Sequence, residues 1–164
     1  MKEAEAANGL IDQGCDVLTC HVDGPKVIVE TAEKRGVFSC GYHAGQAALA
    51  PKGYLTGAEW DWATPYKVLT DAALGGKPMV NFLRGGLKEG FVKMSPYGPA
   101  VTAKAKSVAE AAKAKMVKGD FVIFKGPIKD NAGKVVIAAG TGHKQQDPVL
   151  EQMNYLVAGV IGKV

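Results

Sequence analysis

The stretch DVLTCHVDGPKVIVETAEKRGVFSCGYH, from Asp16 to His43, decides the fold. It opens with a short apolar run, Asp16 to His21, and closes with another, Val37 to Tyr42. Between them Asp23-Gly24-Pro25 predicts a helix start, with Asp23 as its cap and Pro25 in the first turn, where a missing N–H loses no hydrogen bond. Val27, Ile28 and Ala32 then recur at helical spacing, and Gly36 supplies the stop. Strand, helix and strand in so short a span form a βαβ unit, so the two strands are predicted to be parallel and joined right-handedly.

Upstream, a helix is predicted from Lys2 to Gln13, ending at Gly14. Downstream, Ala50-Pro51-Lys52-Gly53 is a turn, Tyr54 to Glu59 a third strand, and Thr64-Pro65 the start of a helix that runs to Gly75-Gly76. Met79 to Leu83 is expected to be a strand and Gly90 to Met94 a second extended piece, followed by the rigid connector Ser95-Pro96-Tyr97-Gly98-Pro99. An Ala/Lys helix is expected over Thr102 to Val117, stopping at Gly119. Two strands, Phe121 to Phe124 and Lys134 to Ile137, flank an irregular segment with its turn at Asp130-Asn131-Ala132-Gly133, and a last helix runs from Pro148 to about Gly159. No repeat or low-complexity linker divides residues 1–164, so they read as a single α/β unit. Its first helix arrives with no strand before it, as though taken from the middle of a longer alternation, and a missing piece or a partner is expected to complete it.

Composition narrows the class. The 164 residues are 47% hydrophobic and 22% charged, and a chain of this length buries about 70% of its unfolded surface without disulfides. Disorder and collagen are excluded. No apolar run reaches the ~20 residues of a membrane helix, and the opening residues lack the apolar core and cleavage site of a secretory leader. The net charge of +4 is too mild to imply nucleic acid, and the lysines of the Ala/Lys helix have no interleaved aromatic residues for base stacking. Three cysteines cannot all pair within the chain, so free thiols are expected.

In open α/β sheets ligands bind beyond the C-terminal ends of the strands. His21 and Asp23 follow one predicted strand, Tyr42 and His43 end the next, and all four are expected to border one crevice. Trp60 and Trp62 follow the third strand and share a face while Asp61 points away. One indole, expected to be Trp60, faces the crevice to stack on a planar ring, and the other packs in the core. Cys20-His21 and Cys40-x-x-His43 bring soft ligands near one another, but no knuckle of the C-x-x-C kind is present, so no metal or other cofactor is expected. There is no nucleophile elbow, phosphate loop or dinucleotide fingerprint, and Gly140-Thr141-Gly142 lacks the third glycine. A small α/β enzyme using His21 or His43 as acid or base is the alternative reading.

A set of ordered motifs resembles the basic membrane protein (BMP) family, the solute-binding lipoproteins of ABC importers with the type I periplasmic binding protein fold. They are Lys2-Glu3-Ala4-Glu5-Ala6-Ala7 ahead of Ile11-Asp12-Gln13-Gly14-Cys15-Asp16-Val17-Leu18, then His21-Val22-Asp23-Gly24-Pro25, Gly41-Tyr42-His43, Leu55-Thr56-Gly57, Gly85-Gly86-Leu87-Lys88-Glu89-Gly90 and Gly126-Pro127-Ile128-Lys129-Asp130. The resemblance covers the whole chain but only the C-terminal half of such a protein. It implies a three-layer parallel-sheet lobe, incomplete without its N-terminal lobe, with hinge-crossing and C-terminal hairpin and helix segments. It also implies an extracytoplasmic location, periplasmic or membrane-anchored, no catalysis, and a purine-like ligand held between lobes and passed to an ABC permease by the full-length protein. The missing lobe or another copy of the chain is expected to cover the exposed face. Nucleoside binders of the family carry an acidic residue after Gly-Tyr and often a lysine after the Leu-Thr motif. This chain has His43 and Trp60 there, which implies a flatter, less hydroxylated ligand: a free purine such as adenine, gripped by His21, Asp23, Tyr42, His43 and Trp60.

Overall fold

Three parallel strands run side by side: β1 (Val17–Thr19), β2 (Phe38–His43) and β3 (Tyr54–Trp60), with a fourth, β4 (Val92–Met94), antiparallel on the outer edge of β3. The computed structural model describes residues 2–119, 121–144 and 147–164. They divide into two compact units, the first ending at Ala114 and the second spanning Lys115–Val164. The four-stranded sheet belongs to the first.

The βαβ unit forms as its punctuation requires. Helix α2 (Pro25–Arg35) has Pro25 in its first turn and ends at Gly36, whose φ of 71° is the left-handed conformation that glycine adopts without strain. The Gly36 N–H closes the helix on the Ala32 and Glu33 carbonyls. Its inner stripe, Ile28, Val29 and Ala32, is buried. Ile28 and Ala32 meet Leu18 of β1 and Ala7 of helix α1 (Lys2–Asp12), while Val29 meets Ala50 and Tyr54. Burying each large apolar side chain contributes about 1.5–3 kcal/mol. Arg35 ties the two helices together from outside, donating to Asn8 Oδ1 at 2.6 Å and Asp12 Oδ1 at 2.7 Å. Asp23 does not cap α2: the cap position is Gly24, with no side-chain cap bond, because the proline turn starts one residue later than an aspartate cap needs.

Tyr54, 1% exposed, is the largest fully buried side chain. Its hydroxyl lies against Gly41 and Gly57, which are opposite one another in the β2–β3 register. A Cβ at Gly41 would stand 2.5 Å from that oxygen, so the ring passes only because both strands lack side chains there.

Helices α3 (Ala63–Leu74) and α4 (Ala103–Lys118) bury no residue completely. Met79 to Leu83 is not the expected strand. The outer edge of β3 is taken by β4, which leaves this segment no ladder to join, and Met79, Val80 and Phe82 are exposed.

The second unit has two small antiparallel ladders. Strand β5 (Phe124–Lys125) pairs with β8 (Gly142–His143), and β6 (Ile128–Lys129) with β7 (Val135–Ile137). Asp130 builds the turn of the second ladder as its position suggests, with Oδ1 accepting from the Ala132 and Lys134 N–H groups at 3.0 and 2.8 Å. The last helix shrinks to one 3₁₀ turn, Pro148–Glu151, capped by Asp147. Beyond it the backbone of Leu156 to Ala158 bonds back to Lys129 and Asn131, and Val157 bridges Asp130. Those groups are therefore spent on pairing instead of on helix.

Candidate functional site

Parallel strands bring their C-terminal ends to one sheet edge, and here each end delivers an aromatic or imidazole ring. His21 follows β1, Tyr42 and His43 end β2, and Trp60 ends β3. The rings touch in sequence: His21 to Tyr42 with centroids 4.6 Å apart, Tyr42 to His43 4.1 Å, and His43 to Trp60 4.5 Å. Trp60 continues to Trp62 at 5.2 Å and Trp62 to Tyr66 at 5.8 Å. Most of these contacts are edge-to-face, the arrangement that the ring quadrupoles favour.

Four of the five expected site residues thus converge. Asp23 is exposed in the turn before α2, at the same edge, and takes no part in the ring contacts. Neither tryptophan packs in the core: Trp60 is 37% and Trp62 55% exposed. Strand β3 ends at Trp60, and α3 just beyond it buries no residue. Trp62 touches Trp60, but not through strand alternation: it lies past the strand's end, in helical conformation at the start of α3. Tyr66 was not expected here. Its N–H bonds the Trp62 carbonyl at 3.2 Å as the first turn of α3 closes, and the four-residue spacing from Trp62 was the available signal. Beside the indoles lies an open groove of about 270 Å³, also lined by Pro65, Phe82, Arg84 and Phe91. The Arg84 guanidinium stands 5.2 Å over the Phe82 ring.

A polar chain supports the rings from below. Ser95 Oγ donates to Glu59 Oε1 at 2.6 Å, so the Tyr54 hydroxyl, 2.9 Å away, donates to Ser95. Lys93 stands 4.0 Å from Glu59 Oε2 and 3.7 Å from Asp61 Oδ2. Gln46 donates to the Tyr42 carbonyl at 2.8 Å, and His43 Nε2 lies 3.0 Å from the Val22 carbonyl oxygen. The ends of β1 and β2 are thereby held in fixed relation.

The thiols near the site are not prepared as ligands. Burial pushes Cys20 up from the ordinary cysteine value, and burial outweighs a backbone hydrogen bond at Thr56 in pushing Cys40 up. Both are held as neutral thiols at neutral pH. Among the described residues no three His, Cys, Asp or Glu side chains gather to hold a metal ion.

In open α/β sheets the C-terminal ends of parallel strands are where ligands bind, and the rings gather at that edge here. The chain belongs to the Bmp family of PnrA-like ABC transporter substrate-binding proteins, whose model matches residues 1–138. It is similar to a purine-binding protein of Brucella abortus strain 2308, with 36% identity over 163 residues, 99% of this chain and 45% of that protein. It is also similar to a Haloferax volcanii protein assigned as an ABC transporter glucose-binding protein, with 26% identity over 98% of this chain and 38% of that protein. The chain therefore spans less than half the length of these relatives. Two solved structures share the fold at 22% identity: a transcriptional activator of the comK gene from Bacillus halodurans, with a TM-score of 0.64 over 70% of this chain and 41% of that one, and an ABC transporter solute-binding protein from Conexibacter woesei, with a TM-score of 0.54 over 73% and 41%.

Proposed function

We propose that the chain is the ligand-gripping portion of an ABC importer's substrate-binding component, and that its ligand is a purine base or nucleoside, with a free base such as adenine preferred. The observation that carries this reading is the unbroken run of rings from His21 through Tyr42 and His43 to Trp60 at the strand ends. Flat π-faces with few charges suit a heteroaromatic ring and offer a sugar little. The purine-binding relative at 36% identity supports the same ligand class.

In this reading His21, Asp23, Tyr42, His43 and Trp60 line one side of the crevice, and another lobe closes over the other. Closure on ligand is the signal read by a membrane permease. The protein works outside the cytoplasmic membrane, as the family's role implies. Among the described residues no helix is long and apolar enough to cross a membrane.

Calorimetric titration with adenine, adenosine and glucose tests the assignment. Adenine binding more tightly than adenosine, with no heat from glucose, is the expected result. Adenosine binding more tightly removes the preference for the free base, and glucose binding alone overturns the purine reading.

A further inference from the structure

Resting on the purine-binding reading, we propose that His43 is a specificity-determining residue: its Nδ1 accepts a hydrogen bond from the ligand's edge, so the crevice favours a purine that carries an exocyclic amine over one that carries none.

The argument begins with the Val22 carbonyl oxygen, 3.0 Å from His43 Nε2. A carbonyl oxygen only accepts, so Nε2 carries the hydrogen of this bond. A neutral imidazole has one N–H, and once Nε2 holds it, Nδ1 is left as a bare acceptor. Among the described residues nothing donates to Nδ1. The tautomer is therefore set by the backbone following β1, before any ligand arrives.

The orientation is fixed as well. His43 has a φ of 74° and is the only non-glycine residue with a positive φ among the described residues. Such a conformation persists where surrounding contacts impose it, and it is concentrated at binding sites. Here the Val22 bond on one side and the Tyr42 and Trp60 rings on the other, at 4.1 and 4.5 Å, hold the imidazole. The imidazole that carries the acceptor thus stands among the rings at the strand ends. A ligand entering among those rings meets in Nδ1 an acceptor that a polar hydrogen satisfies and a hydrogen on carbon does not. An exocyclic amine such as that of adenine supplies the donor, whereas unsubstituted purine offers a hydrogen on carbon at that position.

The test compares adenine with unsubstituted purine, in the wild-type chain and in His43→Gly, since glycine adopts a φ of 74° without strain. Wild type is expected to favour adenine about fivefold, the factor that one net hydrogen bond supplies. In His43→Gly the ratio is expected to fall to about one, with both ligands weakened by the lost ring. A second measurement does not depend on ligand: the imidazole ¹⁵N spectrum of His43 is expected to show a protonated Nε2 and a bare Nδ1. Equal affinities in wild type, an unchanged ratio in His43→Gly, or a protonated Nδ1 overturns the inference while leaving purine binding standing. Absence of binding by either purine overturns the proposed function and this inference with it.

Discussion

The imidazole of His43 and the indole of Trp60 stand edge-to-face, their planes 87° apart and their centroids separated by 4.5 Å. The contact follows from strand register, since His43 pairs with Glu59 across β2 and β3 and Trp60 is the next residue. Because such pairs contribute beyond simple burial, a double-mutant cycle with His43→Asn and Trp60→Leu is expected to show a coupling of about 0.5–1.5 kcal/mol in urea unfolding. Asparagine is chosen because it tolerates the left-handed backbone. Strictly additive losses would show that the rings touch without interacting.

The Tyr54–Ser95–Glu59 chain makes an ordered prediction. Tyr54→Phe deletes one donor and is expected to cost about 1 kcal/mol, whereas Ser95→Ala strands a buried hydroxyl and is expected to cost about 1–3 kcal/mol. Chemical denaturation ranks the two, and the reverse ranking contradicts the hydrogen-bond directions given above.

Gly41 and Gly57 should respond differently to the same substitution. Alanine at Gly41 meets the Tyr54 hydroxyl, so Tyr54→Phe is expected to restore part of the stability that Gly41→Ala loses. Alanine at Gly57 also meets the Gly41 carbonyl oxygen at 2.7 Å, and backbone does not yield to a side-chain change. No rescue is expected there, and thermal melts of the two double variants decide it.

How far the sequence exposed this arrangement depended on what each element needs. The βαβ unit was legible because Pro25 and Gly36 are local signals for helix start and stop, and the convergence of His21, Tyr42, His43 and Trp60 follows from parallel strands sharing an end. Met79 to Leu83 misled because an apolar run shows a capacity for pairing, while an available edge is a property of the sheet. The final helix failed likewise, since the bonds of Leu156 to Ala158 with Lys129 and Asn131 are invisible to local periodicity. Tyr66 falls inside the helix predicted from Thr64-Pro65, and an apolar helical position does not by itself show a place beside Trp62.

In the second unit, Asp147 accepts from His143 Nδ1 at 2.6 Å and from the Val149 N–H at 3.2 Å. The His143 bond first, and the Val149 bond second, hold its carboxyl below the ordinary aspartate value of 3.8. A depressed folded-state value means that the stabilisation is fully present above the unfolded aspartate range and is lost as pH falls through the folded value. NMR titration of Asp147 is expected to give a midpoint below 3.8, moved upward by His143→Ala; a midpoint unmoved by that change contradicts the assignment.

Cys20 and Cys40 are expected to alkylate more slowly at pH 8 than a free cysteine, because burial disfavours the thiolate that reacts. Mass spectrometry of timed digests reads the rates. Reaction at the rate of a free cysteine would place these thiols in solvent.

Trp60 and Trp62 are the only tryptophans in the chain, so its intrinsic fluorescence reports on the ring-lined edge alone. Titrating adenine while following that emission is the most direct test of whether this edge grips a flat heteroaromatic ligand. A saturable change in wild type that persists in Trp62→Phe and disappears in Trp60→Leu is the predicted result. Emission indifferent to adenine, or a response that survives the loss of Trp60 unaltered, would contradict it.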